Sequence, residues 1–596
     1  MQPTFKQSTD FDSRRALAAS RSEQADQAEY DRELQEAIQL SKMENGTMSH
    51  TPFENQLRER TAKMKRKAEE ELEHSMKRSY SGWTPINASW TNYSSSSPAP
   101  LAKPPPAPSK LTITYPNGAL RITRTPGRGN TKNCVNLTDL IHAKHLISAC
   151  IFSFYIGGNE LYDHLPLSHS SNAVPIYIGR DANQDPMVQE ACSEVGISFV
   201  NNSVSKKQLQ SITPNLRDLY SQKYGNNYHA FYAWSVGSSH SKILVLVYTG
   251  FLRIIITSCN MMNIDTVLGD NHWYIHDLPK LSSRAASEPA PFEAGLLAHL
   301  QALSTPDVFL DSIRGMYDYS AVKVHLVTSV PAVCSGPKAE NHGLLRLRRI
   351  IRDLDLKMPE KKSGKLRLEV CAASIGNLSA KWLNNFNDCA LGKELIEVAS
   401  EDCAVPDLKL FYPSIKDVIE AHQSAQDAAS NIGCHTRPWD DVPIEIKSIF
   451  HHYQSKDTGR LFHQKLILAY NPRDENAHPY YVYVGSANFS QSAWGALEND
   501  ERTISDATCK TKLVKLNNFE CGVVIPGSLV ESLLEPGTES WQSGIVPYVQ
   551  TGKRYDLPKD SVQSGKRHIL DKPWNDLRWV RTNKKINKAA RGEDFP

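Results

Sequence analysis

The chain states one phrase twice. His240-Ser241-Lys242 leads into the apolar run 243–248, a turn at Thr249-Gly250, a second apolar run at 252–256, and then Thr257-Ser258-Cys259-Asn260. Further on, His463-Gln464-Lys465 leads into 466–470, a polar loop, another run at 481–484, and Gly485-Ser486-Ala487-Asn488. Each copy reads H-x-K, strand, loop, strand, S-x-N. Residues i and i+2 of a strand face the same way, so His and Lys project together where each strand starts. A fold for this chain has to accommodate both clusters, and their matching contexts point to two halves of one site. A third H-x-K, His142-Ala143-Lys144, shows how little the triplet means alone. It falls in a stretch with helical spacing, has no S-x-N after it, and reads as ordinary helix surface.

At 596 residues the chain is too long for one core, and its 40% apolar content is ample for two or three domains. Order is expected to begin at a strand signal at 111–115. A helix at 134–150, strands at 151–156 and 174–178, a helix at 292–303 and a strand at 322–327 follow in the first half. The Pro/Gly-punctuated stretch 331–337 marks the domain boundary. The order then recurs: a helix at 342–354 with a basic face (Arg346, Arg348, Arg349), a strand at 366–372, a turn at 374–378, a helix around Trp382, and strands near 408–411 and 519–525. The expectation is an α/β architecture of two pseudo-symmetric domains, 111–333 and 334–596, each a mixed β-sheet flanked by helices.

Residues 1–110 differ. They are rich in Ser, Gln, Glu, Lys and Pro, bury too little apolar surface to offset chain entropy, and are expected to form a disordered tail. Within it, 29–42 holds an acidic run followed by Leu34, Ala37, Ile38 and Ser41 on one face of a short helix. This resembles a ubiquitin-interacting motif, with ubiquitin as the implied partner; an ordinary amphipathic helix is the competing reading. Residues 63–78 carry Lys63-Met64-Lys65-Arg66-Lys67 and Lys77-Arg78, which read as a nuclear import signal or as a solvated charged helix face. The 11 cysteines include no C-x-x-C pair and are odd in number, which argues against a zinc ribbon or a disulfide framework and for a reducing intracellular setting. The apolar runs are strand-length, far short of a membrane span, and the first residues lack the apolar core of a signal peptide.

Two His, two Lys and two Asn brought together form a cage of hydrogen-bond donors with two fixed positive charges, suited to the oxygens of a phosphodiester. The net charge is only +3, so affinity for a nucleic acid has to come from local patches. No Asp, Glu or Cys cluster has ligand spacing, so no metal and no other cofactor is expected. The nucleophile then comes from the protein or from water, and histidine can act as nucleophile in one copy and general acid in the other.

Paired H-x-K…N phrases resemble those of the phospholipase D superfamily, whose typical motif ends in an Asp where this chain has Val247 and Tyr470. That departure points away from phospholipase D proper and toward the tyrosyl-DNA phosphodiesterase branch. The stretches 485–498, 519–523, 411–414, 555–558 and 572–574 are similar to that family too, and the likeness runs from about residue 111 to about residue 580. The resemblance implies two phospholipase D-like domains and a DNA repair phosphodiesterase. It would cleave the bond between a DNA 3′-phosphate and a tyrosine of trapped topoisomerase I, at single-stranded or nicked ends, and would accept other 3′ blocking groups. It implies His240 as nucleophile, His463 as general acid and base, Lys242, Lys465, Asn260 and Asn488 as phosphate holders, and Glu520 as the acid orienting His240. The family's amide that supports the second histidine falls at Asn271. Ser374, Gly376, Asn377 and Lys381 match its DNA-backbone-binding turn, for which a plain helix cap is the competing reading. Its base-stacking aromatic falls at Val236, with Trp234 close by. A monomer in the nucleus is expected, with no membrane association. The alternatives are another phospholipase D-type nuclease or lipid hydrolase, and a non-catalytic adaptor for DNA ends or ubiquitin.

Overall fold

The apolar run 243–248 is buried along its whole length, because the sheet it belongs to is covered on both faces. In this computed structural model the described residues are 111–575, apart from 126–131, 158, 198–203, 235–236, 355–366, 395–397, 422–426, 436–438, 458, 472–476, 501–510 and 557–571. The proposed ubiquitin-binding and import segments, and Val236, lie outside them. The described residues belong to one unit, 107–596.

The first sheet is built from β1 (Ala119–Thr123), β2 (Cys134–Val135), β3 (Leu146–Ser153), β4 (Ile176–Asp181), β5 (Tyr228–Ala233), β6 (Ile243–Tyr248), β7 (Phe251–Thr257) and β8 (His272–Pro279), in the order 2-1-8-7-6-3-4-5. The second uses β9 (His325–Ser329), β11 (Arg367–Ala372), β13 (Leu408–Tyr412), β15 (Phe450–His452), β16 (Lys465–Tyr470), β17 (Tyr481–Gly485) and β20 (Glu520–Pro526), in the order 15-13-11-16-17-20-9. Two small sheets hold β10 (Ala332–Cys334) with β18 (Ala496–Asn499) and β19 (Thr511–Leu516), and β12 (Ser374–Ile375) with β14 (Gly433–Cys434).

Read outward from its two central hairpin strands, each large sheet has the same plan. β1-β8-β7-β6-β3-β4-β5 corresponds strand for strand to β9-β20-β17-β16-β11-β13-β15. In both, the first four pairings are antiparallel and the last two parallel. The expected pseudo-symmetry is therefore literal. It also corrects the boundary: β9 is the counterpart of β1 and pairs with β20, so the second sheet already begins at His325, before residue 333.

The sheets share one core. Val245, Leu252, Ile254 and Ile256 of the first pack in the same cluster as Leu466, Leu468, Val482 and Val523 of the second. The outer face of the first is covered by the helices Pro186–Glu194 and Lys206–Tyr224, and that of the second by Gly343–Asp353 and Ala380–Ala390. The result is four layers, helix–sheet–sheet–helix, with the hairpins β6–β7 and β16–β17 central in their sheets.

Two local expectations fail. Residues 111–115 form no strand; Thr114 and Tyr115 donate their backbone N–H groups to Asp277 Oδ2 instead, a carboxylate already paired with buried Arg253. Residues 134–150 form not a helix but β2, a single turn capped by Asn136 (Leu137–Leu140), a further turn and the start of β3. Ala149 to Phe152 are buried on both faces of the sheet, and a continuous apolar run carries no period by which to separate strand from helix. No helix among the described residues is long and apolar enough to cross a membrane.

Candidate active site

The two H-x-K phrases meet across the joint between the sheets. His240 and His463 are buried, with ring centroids 6.3 Å apart in an edge-on arrangement. Each enters its strand from a short parallel bridge to the other half, Ser239 to Phe519 and Asp270 to Phe462. His240 donates its backbone N–H to Phe519 O (2.9 Å), and His463 to Asp270 O (3.2 Å). The strand alternation read from the sequence holds on both sides: the middle residues turn away, Ser241 Oγ to His299 Nε2 (2.9 Å) and Gln464 Nε2 to Cys371 Sγ (3.3 Å).

The lysines repeat one another as well. Lys242 Nζ donates to His240 O and Lys465 Nζ to His463 O, both at 2.6 Å. Lys242 Nζ also lies 5.4 Å from the centre of the Phe154 ring, and that ring packs 5.0 Å from the His240 ring. Burial pushes both lysines below the usual ammonium range, Lys465 to about 7, and Lys465 lowers Lys242 further. An anion between them would reverse that effect.

His240 Nδ1 lies 3.0 Å from Glu520 Oε2, the orienting acid expected from sequence. Glu520, the first residue of β20, also accepts from Ser486 Oγ and, through Oε1, from Asn518 Nδ2 (3.0 Å). With Nδ1–H pointed at a carboxylate, the lone pair falls on Nε2, which faces the site. Burial and the flanking lysines hold His240 and His463 down to about 4, against the upward pull of their carboxylates.

The support of His463 differs from expectation. Asn271 does not reach it; its side chain accepts from Ser258 Oγ (2.7 Å) and donates to Asp265 O (2.9 Å). The group beside His463 Nδ1 is Asp265 Oδ2 at 2.8 Å, a close contact bent away from hydrogen-bond geometry. Asp265 sits on a wide π-type turn, Ile264–Leu268, is fully buried, and is held below the usual carboxylate range by His463, Lys465 and the Asn260 N–H despite its burial. Sequence reasoning missed it because the second copy has Ala493 at the matching distance from its Asn, so the repeat gave no signal. Phe154 was missed as well, one of three aromatics among Phe152, Phe154 and Tyr155 at and just past the end of β3.

The two asparagines are held differently. Asn260 is buried and its backbone N–H donates to Asp265 Oδ2 (2.7 Å), while its side-chain oxygen has no hydrogen-bond partner. Asn488 accepts from Ser374 N (3.1 Å), which leaves its amide NH₂ for a ligand. The turn expected to bind DNA is thus built against the second S-x-N: Phe489 N donates to Ser374 O (3.1 Å) and Gly376 N to Phe489 O (3.0 Å). Ser374 is not a helix cap; Ser379 caps the helix Ala380–Ala390. Gln491 Nε2 reaches Asn377 O, and Lys381 pairs with Glu401 at the surface (3.1 Å). Trp234 is half exposed and donates through Nε1 to Val204 O (3.1 Å).

Two measurable consequences follow from this packing. A Cβ at Gly376 would lie 2.7 Å from the Ser490 side chain and 3.1 Å from its backbone, so Gly376→Ala is expected to lower stability by about 1–3 kcal/mol in thermal unfolding and to displace Asn488. His240, His463, His276 and His451 are held near pKa 4 and His299 near 3, mainly by burial. Unfolding frees them to titrate near ~6.5, so the unfolded chain binds more protons between those values. The sign is therefore fixed: stability is fully present above about 6.5 and falls as the pH drops toward 4. The thermal midpoint is expected to fall on the order of 5 °C or more between pH 7.5 and pH 5.

A family model described as tyrosyl-DNA phosphodiesterase matches residues 119–585. The chain is similar to tyrosyl-DNA phosphodiesterase 1 of Arabidopsis thaliana, 24% identical over 320 residues, which are 50% of this chain and 48% of the relative. It is also similar to a probable tyrosyl-DNA phosphodiesterase of Schizosaccharomyces pombe, 24% identical over 248 residues, 40% of this chain and 44% of the relative. The aligned part thus spans about half the length of these curated relatives. In fold, it matches crystal structures of a mutant of yeast tyrosyl-DNA phosphodiesterase 1 (TM-score 0.51) and of yeast tyrosyl-DNA phosphodiesterase (TM-score 0.50). Both matches are 14% identical in sequence and cover 74% of this chain and 98% of the solved one.

Proposed function

Because the chain belongs to the tyrosyl-DNA phosphodiesterase family, we propose that it hydrolyses the bond between a DNA 3′-phosphate and a tyrosine, such as that of trapped topoisomerase I, and acts in DNA repair. The observation that carries this reading is the pair of facing histidines, each with a carboxylate at Nδ1 and a buried lysine beside it. That arrangement supplies a nucleophile, a proton donor and two cations around a space for one phosphate.

His240 Nε2 attacks phosphorus, and the bond from phosphorus to the tyrosine oxygen breaks. His463, protonated in the presence of the anionic phosphate, gives its Nε2 proton to the departing oxygen. The DNA then remains joined to His240 as a phosphohistidine. His463, now neutral, takes a proton from water; the hydroxide forms the new P–O bond and the N–P bond breaks, releasing a 3′-phosphate and free His240. Lys242, Lys465, Asn260 and Asn488 hold the non-bridging oxygens through both steps. Ser374, Gly376, Asn377 and Lys381 would track the DNA backbone. The same chemistry extends to other 3′ blocking groups. Nuclear import and ubiquitin binding by the tail belong to this reading too, as does action as a monomer.

The test is turnover of an oligonucleotide bearing a 3′-phosphotyrosine by the full chain, with phosphatidylcholine assayed beside it. Release of a 3′-phosphate oligonucleotide is expected, with no lipid hydrolysis. Cleavage of the lipid instead, or no turnover of either, would overturn the assignment.

A further inference from the structure

We propose that Asp265 is the positioning residue of His463, taking over in this chain the place that the pseudo-symmetry of the fold gives to Asn271. This rests on His463 acting as acid and base in the reading above.

The argument begins from the symmetry. Phe519 and Asp270 are equivalent, since each accepts the backbone N–H of the opposite histidine. The residues that follow them, Glu520 and Asn271, are therefore equivalent too, at the entries to β20 and β8. Both engage the serine of their own S-x-N phrase, Ser486 for Glu520 and Ser258 for Asn271. From there the halves part. Glu520 has the length to reach His240 Nδ1 as well, whereas Asn271 is one methylene shorter and ends on Ser258 and on the backbone carbonyl of Asp265. The support has moved one step outward: Asn271 braces the turn, and the turn delivers Asp265 Oδ2 to within 2.8 Å of His463 Nδ1.

Asp265 is held as an acceptor on every side. Its Oδ2 receives the Asn260 N–H (2.7 Å) and its Oδ1 the Asn431 side-chain amide (2.9 Å), which comes from the second half of the chain. A carboxylate so surrounded stays ionised, and it opposes the burial, Lys465 and Lys242 that drive the proton from His463. An amide in its place would orient the ring without that charge. Bent contacts are common in an empty site and straighten when substrate arrives. Asp265 touches no reacting atom, so its effect has to pass through His463.

The experiment compares single-turnover release of two leaving groups from otherwise identical 3′-phosphodiester oligonucleotides. Tyrosine needs help from an acid, and 4-nitrophenol departs without a proton. For Asp265→Asn, tyrosine release is expected to slow by on the order of 10²-fold while 4-nitrophenol release changes little, because only the first draws on the acid. Hydrolysis of the shared covalent intermediate should slow alike from both substrates. Because the readout is a ratio between substrates, a smaller folded fraction does not change it. Equal slowing of both leaving groups would mark a structural role only, and unchanged tyrosine release would remove Asp265 from the site; either overturns the proposal. Failure of the wild-type chain to release either group would instead overturn the function itself.

Discussion

Replacing His463 with alanine or arginine should leave the DNA covalently attached to His240. The two steps make unequal demands on His463. A phenol has a pKa near ~10 and departs with only partial help from an acid, whereas water attacking a phosphohistidine needs a base, and neither alanine nor arginine supplies one. Tyrosine release should slow by on the order of 10²–10³-fold and adduct hydrolysis further, by on the order of 10⁴-fold. A band combining protein and oligonucleotide should accumulate on denaturing gels. His240→Ala should abolish turnover with no adduct, since the side chain that attacks phosphorus and carries the DNA is gone. If no variant of His463 traps any species, the division of labour between the two histidines is wrong.

Lys242→Met should separate catalysis from stability. Lys242 is buried, its charge disfavoured by desolvation and by Lys465, and among the described residues its Nζ is engaged with a backbone carbonyl and a ring face. Losing its contact to a phosphate oxygen should cost on the order of 10²–10³ in rate, about 3–4 kcal/mol at the transition state. Removing a buried cation in favour of an apolar side chain of similar length is often neutral or stabilising. The variant is therefore expected to unfold at a temperature no lower than the parent while turning over far more slowly. A large drop in the thermal midpoint together with the rate would mean that Lys242 holds the fold together.

Much of this site was legible in the sequence because its elements are bounded by chemistry. β6 and β16 begin where H-x-K ends, and β7 and β17 lead directly into S-x-N, so the repeat fixed register as well as identity. Glu520 was legible only through the family resemblance, since an acid at the start of a strand is otherwise an ordinary surface carboxylate. Asp265 was not: it lies in a loop, on one side only, where an acid is usually a solvated residue, and only the crowding of Asn260, Asn271 and Asn431 around it makes it part of the machinery. β3 was legible only at its end: the strand expected at 151–156 catches Ile151 to Ser153, while the helical spacing read at 134–150 hid its start. The boundary between halves was placed by Pro and Gly, but sheet membership is decided by pairing, and β9 pairs forward.

The backbone bridges from Ser239 to Phe519 and from Asp270 to Phe462 have a wider consequence. A cleft with perfect two-fold symmetry would offer a phosphodiester two degenerate orientations, and its two imidazoles would be interchangeable. Here the backbone of each histidine is bonded to the opposite half, so neither half holds the complete cluster by itself. Joined in one chain, the halves are free to diverge. Glu520 on a rigid strand faces one ring and Asp265 on a braced turn faces the other, while Ser374 orients Asn488 and leaves Asn260 without an equivalent brace. These inequalities lift the degeneracy, and under the proposed function they give the site a polarity that a strand of DNA, itself directional, would match in only one sense.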